Sequence, residues 1–294
     1  MTPHPQVLCR PDDILGEGPL WDHRRGCLLW IDIVRGRVHS WSHQEGMRDL
    51  VQVDALIGSI ALVGDADLLL ATSRGLLRWT AATAKLELLG NPIANLPVRF
   101  NDGRVDAAGR FWVGTMALDD ARCAEPLGAL YRVDPDGTVV QMEAGLTIAN
   151  GLDWSPDGRT FYLTDTMRRQ IYAYDFDCAR GTIAKRRTLV NVDERHGYPD
   201  GLLVDRTGAL WSAAITGSAI RQYGADGRLI GTVALPVSCP TAIALGGADG
   251  TTAFITTSQH LLKPGHGEGA AGSLLSMPWS ASGRPAAIFG KGLI

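Results

Sequence analysis

The fold is decided by the stretch Asn-Gly-Leu-Asp-Trp-Ser-Pro-Asp-Gly-Arg-Thr-Phe-Tyr, residues 150–162. An early glycine, Gly151, is followed by a short apolar segment and then by a Ser-Pro-Asp-Gly turn that ends at Gly158. Asp-Gly pairs favour hairpins because glycine accepts the positive φ that tight turns require. Tyr162 then belongs to a second apolar segment. The stretch therefore predicts a β-hairpin that begins near Gly151.

The same arrangement recurs along the chain at intervals of 40 to 50 residues. The opening positions of the units are Gly18, Gly58, Gly103, Gly151, Gly201 and Thr241. Periods of this length are typical of propellers and solenoids. A third strand of alternating pattern follows each hairpin, as in residues 170–174, and a fourth precedes the next opening position. Six units of about four strands predict an all-β fold, a six-bladed β-propeller.

We expect one propeller domain over residues 1–294, because no linker or low-complexity segment interrupts the repeat. A propeller has to be sealed where its two ends meet. Residues 6–9 are predicted to close it by adding an outer strand to the last blade. Residues 1–5 are predicted to form a loose tail, and the glycine-rich residues 265–272 a flexible loop.

Composition argues against several classes of partner. The net charge of −3 and the isoelectric point near 6.2 provide no basic surface for nucleic acid. Nowhere is there an apolar run long enough to span a membrane, and residues 1–13 lack the pattern of an export signal. The 5 cysteines are scattered, with no Cys-x-x-Cys pair, which disfavours a disulfide framework. We therefore expect a cytoplasmic protein without nucleic-acid or membrane partners.

Three of the opening glycines follow a lone oxygen-bearing residue, namely Glu17, Asn150 or Asp200, and a fourth, Gly103, follows the pair Asn101-Asp102. Equivalent positions of a closed repeat converge on its axis, so we expect these side chains to meet at one mouth of the central channel, immediately before the inner strands. Carboxylate and amide oxygens suit a hard divalent cation such as Ca²⁺, Mg²⁺ or Mn²⁺. Each residue alone is also a common turn former. The second unit carries Ile57 at this position, so the turn itself requires neither an acid nor an amide.

Six blocks of sequence carry a resemblance to a known family. They are Gly-Glu-Gly-Pro-Leu-Trp (16–21), Arg-Phe-Asn-Asp-Gly (99–103), Gly-Arg-Phe-Trp-Val-Gly-Thr-Met (109–116), Asn-Gly-Leu-Asp-Trp-Ser (150–155), Pro-Asp-Gly-Leu-Leu-Val-Asp (199–205) and Gly-Ala-Leu-Trp (208–211). In this order they resemble the SMP-30/gluconolactonase/regucalcin family of six-bladed propeller lactonases. The blocks span almost the whole chain.

The resemblance implies one divalent metal ion held by Glu17, Asn150 and Asp200, with Asp200 also acting as the general base. Three oxygen ligands do not choose among calcium, magnesium, manganese, zinc and iron. The alternative for the same residues is a set of turn caps without a metal.

The resemblance also implies that Arg99 and Asn101 contact the substrate. An acidic residue after Gly-Thr-Met, often glutamate in the family, matches Asp119, which is one methylene shorter. From the residues alone, Arg99 is also compatible with an ion pair that lines the channel. Asp102 is interpreted as a turn residue that bonds its own backbone.

The implied activity is metal-dependent hydrolysis of a sugar lactone, gluconolactone or a related aldonolactone, to the aldonic acid. A cation can polarise the lactone carbonyl and lower the pKa of water, and Asp200 would accept the water's proton. Two alternatives use the same scaffold. One is a phosphotriesterase-like propeller hydrolase, and the other is a calcium-binding propeller without enzymatic activity.

Overall fold

The computed structural model describes residues 4–260 and 268–292. Within these ranges the chain forms 25 β-strands and two short 3-10 helices, Asp120–Arg122 and Glu194–His196. The strands form six separate sheets, each with four antiparallel strands, and one sheet carries a fifth strand. The prediction of an all-β, six-bladed propeller is confirmed. No helix in these two ranges is long and apolar enough to cross a membrane.

The strands are numbered along the chain, and each blade is given from its inner to its outer strand. Strand β1 (Gln6–Cys9) opens the chain but lies in the sixth blade. Blade 1 contains β2 (Gly16–Asp22), β3 (Cys27–Asp32), β4 (Arg37–Ser42) and β5 (Gly46–Gln52). Blade 2 contains β6 (Ile57–Val63), β7 (Asp67–Thr72), β8 (Gly75–Thr80) and β9 (Lys85–Gly90). Blade 3 contains β10 (Val98–Val105), β11 (Phe111–Ala117), β12 (Gly128–Val133) and β13 (Val139–Leu146).

The remaining blades follow the same order. Blade 4 contains β14 (Ala149–Trp154), β15 (Thr160–Asp165), β16 (Gln170–Asp177) and β17 (Thr182–Asn191). Blade 5 contains β18 (Tyr198–Val204), β19 (Leu210–Ile215), β20 (Ala219–Tyr223) and β21 (Leu229–Ala234). Blade 6 contains β22 (Pro240–Gly246), β23 (Thr252–Thr257), β24 (Leu274–Pro278) and, as its outer strand, β1. The pairing of β1 with β24 is antiparallel, with Gln6 opposite Ser276, so the first strand of the chain completes the last blade.

The core lies between neighbouring blades, where apolar side chains from adjacent sheets pack together. The aromatic residue near the start of the second strand is buried in five blades: Trp30, Trp112, Tyr162, Trp211 and Phe254. Between blades 3 and 4, Trp112 packs edge to face against Trp154, with ring centroids 6.1 Å apart. Such aromatic pairs contribute about 0.5–1.5 kcal/mol beyond the burial of their surface.

Each of the six inner strands has a shift in pairing register near its beginning, as between Glu17 and Leu20 or between Ala149 and Leu152. Such β-bulges re-aim side chains and bend a strand. The predicted ligands therefore lie within the inner strands and not before them, because the strands continue through the bulges. A Cβ on Gly151 would overlap the backbone of Leu202 in the next blade, so the close approach of inner strands requires glycine there.

The channel has two ends, which we call the mouth, where the inner strands begin, and the far end, where they lead into the β-hairpins. Residues 279–292, here the C-terminal strap, cross the far end. The strap bonds to blade 6 through the amide of Gly283 and to blade 5 through the carbonyl of Ser282. Its short strand β25 (Ile288–Phe289) pairs in parallel with β6, and Gly290 bonds to blade 3. The strap therefore connects blades that are not consecutive.

Two sequence predictions reach beyond the described residues. Residues 1–3 of the predicted tail lie outside them, and so do residues 265–267 of the predicted loop.

Candidate metal and substrate site

Glu17, Asn150 and Asp200 lie at the mouth, on the inner strands of blades 1, 4 and 5, and all three are buried. Asn150 and Asp200 are in direct contact, because the Asn150 Nδ2 donates a hydrogen bond to Oδ1 of Asp200. The same Nδ2 donates to Oγ1 of Thr166 at 3.1 Å. The amide nitrogen is thus engaged, and the amide oxygen of Asn150 accepts no hydrogen bond from the described part of the chain.

The carboxylates at the mouth repel one another. The pKa of Glu17 is raised well above its usual value by burial and by the negative charges of Asp200 and Asp102. Burial, together with the charge of Asp102, also raises the pKa of Asp200, although the hydrogen bond from Asn150 opposes the change. Buried carboxylates with this behaviour are stabilised by a cation. The arrangement fits a hard divalent ion in its chemistry.

The ligand set would be mixed in type. In residues 4–260 and 268–292, His, Cys, Asp and Glu side chains form no group of three that is suited to hold a metal ion. A cation at the mouth would therefore depend on the amide oxygen of Asn150 as well as on the carboxylates of Glu17 and Asp200.

Arg99 and Asn101 lie next to these residues, on the inner strand of blade 3, and both are buried. Nη1 of Arg99 donates to Oδ1 of Asn101 at 3.1 Å, and Nδ2 of Asn101 donates to the carbonyl of Ala149 at 3.1 Å. Asn101 is thereby held against the residue that precedes Asn150. Burial lowers the pKa of Arg99, and the charges of Asp120 and Glu17 oppose that effect. The guanidinium therefore lies within the electrostatic reach of both carboxylates.

The predicted acidic contact, Asp119, is exposed and has a local partner. Its Oδ1 accepts a hydrogen bond from the amide of Ala121 at 3.0 Å, which caps the short helix Asp120–Arg122. The next residue, Asp120, meets His260 of the sixth-blade side, with 3.1 Å between Oδ2 and Nε2. The charge that reaches Arg99 from this loop is that of Asp120.

The sequence interpretation missed the electrostatic importance of Asp102. Its Oδ1 accepts a hydrogen bond from the amide of Gly103 at 2.7 Å, which agrees with the expected local bond. Burial raises the pKa of Asp102 to about 6, even though the charge of Arg104 opposes the shift. The signal was present in the repeat, because Asp102 directly precedes an opening glycine, as do Glu17, Asn150 and Asp200.

The chain is similar to several known proteins over most of its length. The chain is 35% identical to the pentonolactonase XacC of Haloferax volcanii over 277 residues, which is 92% of this chain and 93% of that protein. It is 36% identical to regucalcin of Gallus gallus over 255 residues, 83% of each chain. The crystal structure of a calcium-binding protein, regucalcin, from Agrobacterium tumefaciens superposes with a TM-score of 0.90 at 26% identity and covers 96% of each chain. A family model described as "SMP-30/Gluconolactonase/LRE-like region" matches residues 15–259, and the chain belongs to this family.

Proposed function

We propose that the protein is a lactonase that uses a divalent cation to hydrolyse a sugar lactone to its aldonic acid. One observation carries the proposal: buried Glu17, Asn150 and Asp200 lie beside buried Arg99 and Asn101 at one mouth of the channel. Family membership supports the reaction class, since relatives are named pentonolactonase and gluconolactonase. The cytoplasmic location is part of the proposal, and the five free cysteines agree with a reducing compartment.

Glu17, Asn150 and Asp200 would hold the cation. When bound, it would polarise the lactone carbonyl and lower the pKa of water. A relative described as a calcium-binding protein makes calcium one candidate, and magnesium, manganese, zinc and iron are the others. The raised pKa values of Glu17 and Asp200 support the assignment, because a cation would offset the repulsion between these buried carboxylates.

Asp200 would act as the general base. Its Oδ1 accepts the hydrogen bond from Asn150, which fixes the orientation of the carboxylate and leaves Oδ2 to face both the cation and the water. As the water oxygen bonds to the carbonyl carbon, Oδ2 takes the proton. It then returns the proton to the ring oxygen when the ring C–O bond breaks.

Arg99 and Asn101 would position the sugar. The guanidinium of Arg99 is planar and offers five N–H donors, of which Nη1 serves Phe100 and Asn101. The others suit the carbonyl and hydroxyl oxygens of an aldonolactone. Because both residues are buried and joined to each other, they would hold the ring with little loss of side-chain freedom on binding.

Acid release in weak buffer tests the proposal. The chelated protein would be assayed with hexono- and pentonolactones and with an organophosphate triester, adding each of the five metals in turn. We expect turnover of at least one lactone that depends on metal. Asp200→Asn should lower kcat/KM by about 10²-fold or more, while Asp226→Asn, in an exposed turn of the same blade, should not.

Three results would contradict the proposal. Full lactonase activity in Asp200→Asn would remove the proposed base, and a strong preference for the phosphotriester would favour the phosphotriesterase-like alternative. If metal raises the melting temperature and no lactone is turned over, the non-enzymatic calcium-binding alternative replaces the proposal.

A further inference from the structure

Between the candidate metal site and the far end, the channel contains a cavity of about 340 Å³. Inner strands of all six blades form its wall, together with residues 284–287 of the C-terminal strap. Glu17, Asn150 and Asp200 are not part of this wall, but Gly18, Asp102 and Gly201 are, so the cavity adjoins the candidate metal site at one end. Its volume lies in the range of small-molecule sites.

Positive charge predominates toward the far end of the cavity. The charged residues of the wall are Asp102, Arg104, Asp153, Arg206 and Arg284. Asp102 belongs to the metal-site end, where its charge acts on Glu17 and Asp200. The other four residues comprise three arginines and a single aspartate.

Asp153 joins two of these arginines and is fully engaged in doing so. Its Oδ1 accepts from Nη2 of Arg284 at 2.6 Å and from the amide of Trp154 at 2.8 Å. Its Oδ2 accepts from the amide of Val204 at 2.7 Å and lies 3.4 Å from Nη1 of Arg104. One carboxylate thus holds two guanidinium groups together and neutralises one positive charge.

Some guanidinium N–H donors beside the C-terminal strap have no acceptor among the described residues. Arg206 donates from Nε to the carbonyl of Gly283 at 2.8 Å, which places it beside Arg284. In residues 4–260 and 268–292, no protein group accepts a hydrogen bond from Nη1 or Nη2 of Arg206. The same holds for Nη1 of Arg284. Guanidinium groups pair with carboxylate and phosphate oxygens in two-pronged geometry. Carbonyl oxygens of the wall accept from Arg104 and Arg284, but the far end provides one carboxylate, that of Asp153, for three guanidinium groups.

We propose that this far-end pocket, formed by Arg104, Arg206 and Arg284 around Asp153, is a second ligand site that binds a small oxyanion. Aromatic side chains of Trp21, Trp154 and Phe176 also line the cavity and would pack against the carbon skeleton of an organic anion. The aldonate released by the proposed reaction is one such anion, and that part of the inference rests on the proposed function. Binding of inorganic phosphate would have the same chemical basis and does not depend on the reaction.

Calorimetric titration of the metal-stripped, full-length protein tests the site without turnover. Sodium gluconate, sodium phosphate and, as a neutral control, glucose would be titrated at constant ionic strength. We expect one or both anions to bind with a stoichiometry of one, and glucose not to bind. Binding of gluconate alone identifies a sugar-acid site, binding of phosphate alone a phosphate site, and binding of both a general oxyanion site.

Variants locate the binding. Arg206→Gln should lower the affinity for the anion by about tenfold, because it removes charge-assisted donors from an exposed side chain. Arg25→Gln, an exposed arginine in a hairpin turn outside the pocket wall, should bind as the unchanged protein does. Asp200→Asn should also leave anion affinity unchanged, since Asp200 does not line the cavity.

Three results would overturn the proposal. They are the failure of both anions to bind, equal affinities of Arg206→Gln and Arg25→Gln, and loss of binding in Asp200→Asn with retention in Arg206→Gln. The last result would assign the anion to the candidate catalytic site and not to the far-end pocket. None of these results bears on lactone turnover, which the acid-release assay decides separately.

Discussion

The amide of Asn150 donates a hydrogen bond to the carboxylate of Asp200, although the two residues lie 50 positions apart on neighbouring blades. Both follow the same rule of the repeat, because each directly precedes a glycine at the bulge of an inner strand. The bond fixes the orientation of the amide. Its nitrogen serves Asp200 and Thr166, so its oxygen is the atom available to a cation.

Cation affinity should depend on this amide oxygen. We expect Asn150→Ala to weaken divalent-cation binding by about 100-fold, or about 2.7 kcal/mol, because the remaining carboxylates lose a ligand and their alignment. Titration of the chelated protein with Ca²⁺, Mg²⁺ and Mn²⁺ measures the change. Asn191→Ala removes an exposed asparagine from β17 and serves as the control. Unchanged cation affinity in Asn150→Ala would remove Asn150 from the ligand set.

Arg99 should act mainly in substrate binding. Arg99→Lys keeps the charge but loses the planar fork that bonds Phe100 and Asn101. We expect kcat/KM for a lactone to fall by about tenfold or more, chiefly through a higher KM. Steady-state kinetics measure the two parameters separately. Arg78→Lys, at an exposed pair with Asp67, should be neutral, whereas an unaltered KM in Arg99→Lys would contradict the role.

The loop that follows β11 begins, after Leu118, with two adjacent aspartates, Asp119 and Asp120, and their variants should differ. Asp119→Asn retains a good helix cap, so we expect little change in lactone KM. Asp120→Asn removes the charge that acts on Arg99 and weakens the bridge to His260, so KM should rise by about fivefold. His260→Gln should act in the same direction as Asp120→Asn. A larger effect of Asp119→Asn would instead support Asp119 as the substrate contact.

The repeat in the sequence was sufficient to predict the fold, because glycine, turn and aromatic positions report local geometry. Gly158, which ends the predicted Ser-Pro-Asp-Gly turn, has a φ of +67°, and Gly109 and Gly208 in the corresponding hairpins of blades 3 and 5 have φ values of +83° and +90°. The opening glycine Gly151 lies within the inner strand β14, and its contact with Leu202 of the next blade leaves no room for a side chain. That contact joins two blades, and no local pattern specifies it.

The candidate site was predictable to the extent that it repeats. Glu17, Asn150 and Asp200 share one repeat position and lie together at the mouth. The partnership of Asp120 with His260 spans 140 residues and follows no repeat, so the sequence offered no signal for it. The sequence also offered no signal for the contact of the strap residue Arg284 with Asp153, which is made across the far end of the channel.

A buried Asp–Trp pair should stabilise blade 5. Oδ2 of Asp205 accepts a hydrogen bond from Nε1 of Trp211 at 2.8 Å, and Oδ1 accepts from the amides of Thr207 and Ala209. Asp205→Ala leaves these donors unpaired, and we expect the free energy of unfolding to fall by about 3 kcal/mol. Urea denaturation measures it. Asp226→Ala, in an exposed turn of the same blade, should cost less than about 1 kcal/mol.

A double variant that combines Asp205→Ala with Trp211→Phe separates the contribution of the indole hydrogen bond from the other effects of Asp205→Ala. Because the double variant no longer buries an unpaired indole N–H, its further loss of stability should be smaller than the loss that Trp211→Phe causes alone. Strict additivity of the two losses would show that the indole bond contributes nothing.

Stability should fall as the pH rises through the titration of His39, a fully buried residue of β4. Its Nε2 lies 3.0 Å from Oδ1 of Asp13, and its Nδ1 lies 2.6 Å from Oδ1 of Asp49. Burial alone would lower the pKa of His39, but hydrogen bonds and charge from the two aspartates outweigh it, so the pKa is raised. Burial also raises the pKa of Asp13, against the opposing effects of His39 and Trp30.

Both shifts act in the same direction. A raised folded-state pKa stabilises the fold below the unfolded value, about 6.5 for histidine, and that stabilisation is lost as pH rises through the folded value. The amide of Asp13 also donates a hydrogen bond to the carbonyl of Gly272, which lies beside blade 6, so the cluster stabilises the region where blades 1 and 6 meet.

We expect the protein to be more stable to urea at pH 6 than at pH 9. We expect His39→Asn to lower the free energy of unfolding by about 3 kcal/mol at pH 6 and by less at pH 9, because at pH 9 neither protein carries a charged side chain at position 39. His23→Gln, at an exposed turn, should show no such dependence, and an equal cost of His39→Asn at both pH values would exclude the charged histidine as the source.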